Sequence, residues 1–244
     1  MPREVRDIMG MPIAIEVRGG DVDVEPAFAW LRWVDRTFST YDDSSEISRL
    51  GRGEIALADC SPEVDEVLTR CAALREETGG YFSVRAGGSL DPCGLVKGWA
   101  VGRAAALLEQ AGAECFAVDA AGDVVVRGRP GDDGPWRVGV RHPQQRAKVA
   151  AVLGCEDVAV ATSGAYERGE HVLDPHTGRP PSGLLSVTIL GPDIATADAY
   201  ATAAFAMGAD ARFWVAGLQG YEAMLITSGR EVLSTPGLDR YRIS

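Results

Sequence analysis

A chain of 244 residues with 46% hydrophobic content is long enough to bury roughly 70–75% of its unfolded surface in one large core. Its net charge of −11, with no cluster of Lys and Arg, excludes a counterion-releasing grip on a phosphate backbone, so nucleic acid is not an expected partner. No apolar run reaches the roughly 18 residues a membrane span needs, and none is expected. By the same electrostatic argument, an acidic protein that handles a phosphate-bearing ligand needs a bound cation or a nest of backbone amides.

At the amino terminus, "MPREVRDIMGMPIAIEV" places Arg3, Glu4, Arg6 and Asp7 where a signal peptide has an uninterrupted apolar segment, which points to the cytoplasm. Residues 25–40 carry Phe28, Leu31, Val34 and Phe38 at helical spacing. Ser61-Pro62 opens a second helix with Val64, Leu68, Cys71 and Leu74 facing inward. A third helix is expected from about Gly98 to Gln110, with Leu107 and Leu108 apolar and Gly112 as the residue after its C-cap. Next, "CFAVDAAGDVVVRG" reads as strand, tight turn and strand, and "RGRPGDDGPW" is short enough to be a hairpin tip. "WRVGVRH", "VAVAT", "LLSVTIL" and "EAMLIT" add β-like runs. Helices before and after hairpin-like strands favour an α+β architecture, in a single domain over residues 1–244. The five cysteines, Cys60, Cys71, Cys93, Cys115 and Cys155, are widely spread with no C-x-x-C pair, and read as small reduced core residues.

Four segments carry polar groups that chemistry can use, each with a plain structural alternative. "STYDDSSEISRL" (39–50) is a polar loop in which Tyr41 either stacks on a ring or is a half-buried aromatic. "LDPCGLVKGWA" (90–100) puts Asp91, Gly94, Lys97 and Gly98 just ahead of a helix, where amides and the dipole favour an anion; as an ordinary turn it would carry only a solvated lysine. Neither a P-loop nor a G-x-G-x-x-G is present. In "VATSGAYERGEHVLDPHTGRP" (160–180), Thr162 and Ser163 follow a strand, and His171, Asp174 and His176 have a spacing that zinc could use, or "DPHTG" is simply a turn. His171 is a candidate base because imidazole titrates near neutrality. Finally, "DIATADAYATAAFAMG" (193–208) places Asp198 and Thr202 four apart on one helix face. Those hard oxygens suit Mg²⁺; the alternative is an Asp cap with Thr bonding back to the helix.

Taken in this order, "MGMPIAI", "STYDDSSEISRL", "GGYF", "DPCGLVKGWAV", "AGDVVVRG", "ATSGAYERGEHVLDPHTG" and "SVTILGPDIATADAYATAAFAMG" resemble the ApbE family of FAD:protein FMN transferases over nearly the whole chain. The resemblance implies an ApbE-like α+β fold related to the T-fold, with mixed or antiparallel sheets and flanking helices. It also implies a Mg²⁺-dependent enzyme that splits FAD, attaches FMN through a phosphoester to a Thr or Ser of an acceptor flavoprotein, and releases AMP. By position, Asp198, Thr202 and the Gly94 carbonyl match the family's metal ligands. Met9, Tyr41, Tyr81, Phe82, Ser83, Asp91, Lys97 and Val172 fall on its flavin-nucleotide contacts, and His171 matches its general-base histidine. No acceptor motif of the form D-[GS]-x-[ST]-G-A-T occurs in this chain, so the expected acceptor is another protein.

The chain departs from the family pattern at Ser83, where an aspartate is usual, at Ala121 for the first glycine of "GGD", at Gly102 for an aspartate, and at Gly51 for an asparagine. The segment between "GGYF" and "LVKGW" is also shorter than in longer members. Two alternatives stay open from sequence: hydrolysis of FAD to FMN and AMP at the same metal site, and flavin binding without catalysis.

Overall fold

The computed structural model describes residues 3–131, 134–145, 147–164 and 172–243. Strands β1 (Glu4–Ile8) and β2 (Met11–Arg18) form a hairpin and lead into helices α1 (Glu25–Phe38), α2 (Glu46–Gly51), α3 (Pro62–Glu77) and α4 (Cys93–Gln110). Then come β3 (Cys115–Ala120), β4 (Asp123–Arg127), β5 (Trp136–Arg141), β6 (Val149–Cys155), β7 (Val158–Gly164) and β8 (Leu184–Gly191). Helices α5 (Ile194–Met207) and α6 (Ala211–Val215), with strands β9 (Glu222–Thr227) and β10 (Val232–Ser234), complete the chain. None of the described helices is long and apolar enough to cross a membrane.

Eight strands make one sheet in the order β1-β2-β3-β4-β7-β8-β9-β10, every neighbouring pair antiparallel. The remaining pair, β5 and β6, is a separate two-stranded ribbon. One face of the large sheet packs on α1, α4 and α5 through a core that includes Ile13, Ile15, Phe28, Leu31, Leu95, Phe116 and Ile189. The other face packs on the ribbon through Val124, Val126, Val138, Val140, Leu153, Val160 and Leu238. Strand β4 therefore sits between two apolar layers. That is why "DVVVR" is apolar in consecutive positions where a one-sided strand would alternate.

Local sequence accounts for most boundaries. In α1, Phe28, Leu31, Val34 and Phe38 recur at helical spacing and are buried, as the periodicity predicts, although the helix ends at Phe38. In α3, Val64, Cys71 and Leu74 face inward as expected, with Val67 buried and Leu68 half-exposed. Gly112, at φ +87°, follows the α4 C-cap Ala111, as expected.

Four readings need correction. Helix α4 begins at Cys93, so Lys97 and Gly98 lie inside it; Asp91 and Pro92 supply the start, with the Asp91 carboxylate accepting the Cys93 amide at 2.9 Å. "RGRPGDDGPW" is no hairpin tip, because β4 belongs to the large sheet and β5 to the ribbon that covers it. The segment 39–50 is not loop throughout: Ser45 caps α2 by accepting the Ser48 amide at 3.1 Å. Cys71 and Cys155 are buried core residues, whereas Cys60, Cys93 and Cys115 are half-exposed.

Candidate active site

Helices α4 and α5 cross closely because both present small residues at the contact. A methyl group at Gly98 would lie 2.6 Å from the Ile194 carbonyl oxygen and 2.8 Å from Asp198 Cβ. Across that contact the Gly98 amide donates to Asp198 Oδ2 at 2.9 Å, a bond between helices 100 residues apart in sequence. Asp198 is 2% exposed. It is not the helix cap: Asp193 takes that role, accepting the Thr196 amide at 2.7 Å. The cap that was the plain alternative for Asp198 is thus supplied by another residue.

Thr202 lies one turn beyond Asp198 on the same face, with its Oγ1 3.3 Å from Ser163 Oγ on β7. A methyl group at Gly94 would sit 3.4 Å from Thr202 Cγ2 and 3.2 Å from Phe82, so the first turn of α4 abuts this hydroxyl. The oxygens of Gly94, Asp198 and Thr202 form a hard-donor set of the kind Mg²⁺ accepts.

Lys97 reaches from α4 to Asp123 at the start of β4, with Nζ 2.7 Å from Oδ2, and stands 3.8 Å from Asp198 Oδ1. Asp123 is 1% exposed, and its other oxygen accepts the Thr162 amide at 3.1 Å. Sequence reading overlooked Asp123. The available signal was an ionisable residue directly after a hairpin turn, ahead of three consecutive valines.

Gly94, Lys97, Ser163, Asp198 and Thr202 line a cavity of about 640 Å³. Of the twelve residues that the resemblance assigns to the site, eleven line it: Met9, Tyr41, Tyr81, Phe82, Ser83, Asp91, Gly94, Lys97, Val172, Asp198 and Thr202. The twelfth, His171, lies outside the described residues. Met9 is delivered by the β1–β2 turn, where Met9 and Gly10 have φ of +56° and +69° and Ile8 pairs with Met11. Phe82 is buried, while Tyr41 is 90% exposed at the rim rather than half-buried. Tyr81 packs edge-on against His176 with ring centroids 4.6 Å apart. Ser83 Oγ accepts the Arg85 amide at 3.2 Å.

Of the three residues in the zinc alternative, His171 lies outside the described residues, and Asp174 and His176 belong to a turn. Asp174 is occupied in a turn, accepting the His176 amide and the Thr177 hydroxyl, both at 2.9 Å. "DPHTG" is therefore the turn that was its plain reading.

Charge decides what the cavity can hold. Its described charged side chains are Asp35, Asp91 and Asp198 against Lys97, three carboxylates to one ammonium. A dianionic pyrophosphate placed there would meet more carboxylates than ammonium groups among the described residues, and the hard oxygens beside Lys97 could hold a cation.

Known proteins resemble this chain in sequence and in fold. The ApbE family model matches residues 9–89 and 84–225. A FAD:protein FMN transferase from Vibrio cholerae is 35% identical over 124 residues, covering 47% of this chain and 37% of that protein. One from Treponema pallidum is 30% identical over 207 residues, covering 73% of this chain and 57% of that protein. The chain thus matches between about two fifths and just over half the length of these relatives. Among solved structures, an ApbE protein from Thermotoga maritima superposes with a TM-score of 0.88 at 22% identity, covering 100% of this chain and 99% of the other. A Vibrio cholerae flavin transferase gives 0.85 at 21% identity, with 98% of each chain covered. With the family model matched along most of its length, the chain belongs to the ApbE family.

Proposed function

We propose that this protein transfers FMN from FAD to a Thr or Ser hydroxyl of an acceptor flavoprotein, forming a phosphoester and releasing AMP, with residues 1–244 acting as one catalytic unit. The observation that carries the reading is the convergence of eleven residues, from segments spread between positions 9 and 202, on one cavity with a buried carboxylate–ammonium cluster in its wall.

In this reading the apolar part of the cavity, with Met9, Tyr81, Phe82 and Val172, receives the flavin, and the end with Gly94, Lys97, Asp198 and Thr202 receives the pyrophosphate. Asp198, Thr202 and the Gly94 carbonyl would hold Mg²⁺, which when bound would supply positive charge to offset that of the phosphate oxygens. The Lys97 ammonium faces the bridging region and offsets charge that builds on the departing phosphate. The acceptor oxygen forms a bond to the FMN phosphorus as the bond from that phosphorus to the AMP oxygen breaks, and AMP departs with the electron pair. His171 takes the proton released by the acceptor hydroxyl, a step typically worth about 10²–10⁴-fold.

The test is intact-mass analysis of an acceptor flavoprotein co-expressed with this chain, followed by reaction of the purified pair with FAD and Mg²⁺. The expected result is one added FMN on a Thr or Ser, with AMP formed in equal amount and none without metal. Rapid multiple-turnover AMP release without acceptor makes the protein a hydrolase instead. Tight FAD binding with no AMP under any metal condition makes it a flavin carrier.

A further inference from the structure

We propose that His176 is a positioning residue for flavin binding: its imidazole braces the Tyr81 ring in the cavity wall, and so sets how tightly FAD is held. The inference rests on the reading of this cavity as a FAD site. His176 is not among the residues that line the cavity, whereas Tyr81 is, as are Val172 and Leu173 from the same segment as His176. Its action on a bound flavin therefore has to pass through a neighbour.

The Tyr81 backbone is fixed on both sides. The chain leaves α3 through Gly79 and Gly80, at φ +61° and +89°, and the Gly80 amide donates to the Arg75 carbonyl at 2.7 Å. Beyond Tyr81, the buried Phe82 donates its amide to Thr78 Oγ1 at 3.0 Å. The ring is less constrained: Tyr81 is half-buried, and a fixed backbone still permits more than one staggered χ1. What meets that ring is the imidazole of His176, edge-on, with centroids 4.6 Å apart and planes at 70°. His176 is held in place by its own turn. The Asp174 carboxylate accepts the His176 amide and the Thr177 hydroxyl, and the Gly178 amide donates to the Asp174 carbonyl at 2.8 Å. To these bonds His176 contributes its amide and not its imidazole. The fit is close, since a methyl group at Gly80 would lie 3.1 Å from the imidazole Cε1 and 3.4 Å from Nε2. Without the imidazole, Tyr81 spends part of its time in orientations that do not flank the flavin, and apparent affinity falls with the competent fraction.

The experiment measures FAD binding by isothermal titration calorimetry, without acceptor and both with and without Mg²⁺, in wild type, His176→Ala, Tyr81→Ala and the double variant. His176→Ala is expected to weaken FAD binding about three- to tenfold, the range one edge-to-face pair supplies, and to raise KM for FAD with kcat unchanged at saturation. In the Tyr81→Ala background the same substitution is expected to change affinity by less than about twofold. His176→Phe, which restores a ring, is expected to bind within about twofold of wild type, and His176→Gln, polar without a ring, to match the alanine variant. Equal losses in both backgrounds place the role of His176 elsewhere than Tyr81 and overturn the proposal. No loss in His176→Ala, a fall in kcat alone, or wild-type affinity in His176→Gln overturns it as well. Melting curves accompany each variant; if His176→Ala does not fold, or Tyr81→Ala binds too weakly to measure, the contrast between Phe and Gln at position 176 decides. Wild-type protein that binds FAD in neither condition overturns the flavin reading and this proposal together, an outcome distinct from wild-type binding that His176→Ala leaves unchanged.

Discussion

At the scale of single residues, Asp198 carries two roles that substitutions can separate. Its Oδ2 accepts the Gly98 amide, and its Oδ1 faces Lys97. Asp198→Asn keeps an oxygen for Gly98, so the melting temperature should stay close to wild type while FMN transfer falls by about 10²-fold or more. Asp198→Ala removes both, and should also cost about 1–3 kcal/mol of stability by leaving a buried amide unpaired. Denaturant titration beside a transfer assay distinguishes the two. Met9 offers a second separation. A non-glycine residue at φ +56° is strained by roughly 1–2 kcal/mol, and it sits in the cavity wall. Met9→Gly should therefore preserve or raise stability while weakening FAD binding, readable by quenching of flavin fluorescence; loss of both would show that Met9 serves the fold. Legibility at this scale followed chemistry. The spacing of Asp198 and Thr202 put them on one helix face but left a cap as the alternative, and it was the family resemblance that singled them out. Asp123 was not legible, because a carboxylate among valines reads as a turn residue until the fold brings Lys97 to it.

At the scale of elements, the α4–α5 contact is set by the absence of side chains. The buried alanines of α5 let it lie between α4 and the sheet, and Gly98 lets α4 approach it. Gly98→Ala improves helix propensity, yet its methyl group meets backbone at 2.6 Å, so the helices must separate. The expected outcome is a loss of about 1–3 kcal/mol in chemical denaturation, together with weaker cation binding as Asp198 loses its amide. Unchanged stability would mean the helices slide freely. Helices α1 and α3 were legible because an apolar residue every three or four positions has one structural solution. The start of α4 was not, because the glycines of "CGLVKGWAVG" resemble loop until α5 is seen to require them. Strands β1, β2, β6 and β10 also went unnamed: β6 and β10 are partly exposed, and β1 is charged.

At the scale of the whole molecule, three layers bury thiols as well as hydrocarbons. Burial pushes Cys71 and Cys155 up from 9.0 to about 12. A folded-state pKa raised above the unfolded one means the neutral thiol is favoured by folding. That stability is complete below pH 9 and is lost as pH climbs toward 12, by up to about 1.4 kcal/mol per pH unit for each group. Tyr200, raised from 10.0 to about 12 by burial and then by the Glu77 charge, acts in the same direction. Unfolding free energy should decline over that window, and less steeply in the Cys71→Ala/Cys155→Ala variant; identical slopes would rule the thiols out. The α+β class was legible from the succession of elements. The division of the strands between a sheet and a ribbon was not, because pairing partners distant in sequence leave no local mark.

The alanine-walled seat of Asp198 has one more consequence. Wedged between a neighbouring helix and the sheet, with one oxygen already tethered to Gly98, that carboxylate has almost no torsional freedom left to surrender. An incoming ligand meets an electrostatic field settled during folding, so little reorientation of dipoles is required when the reacting charges shift.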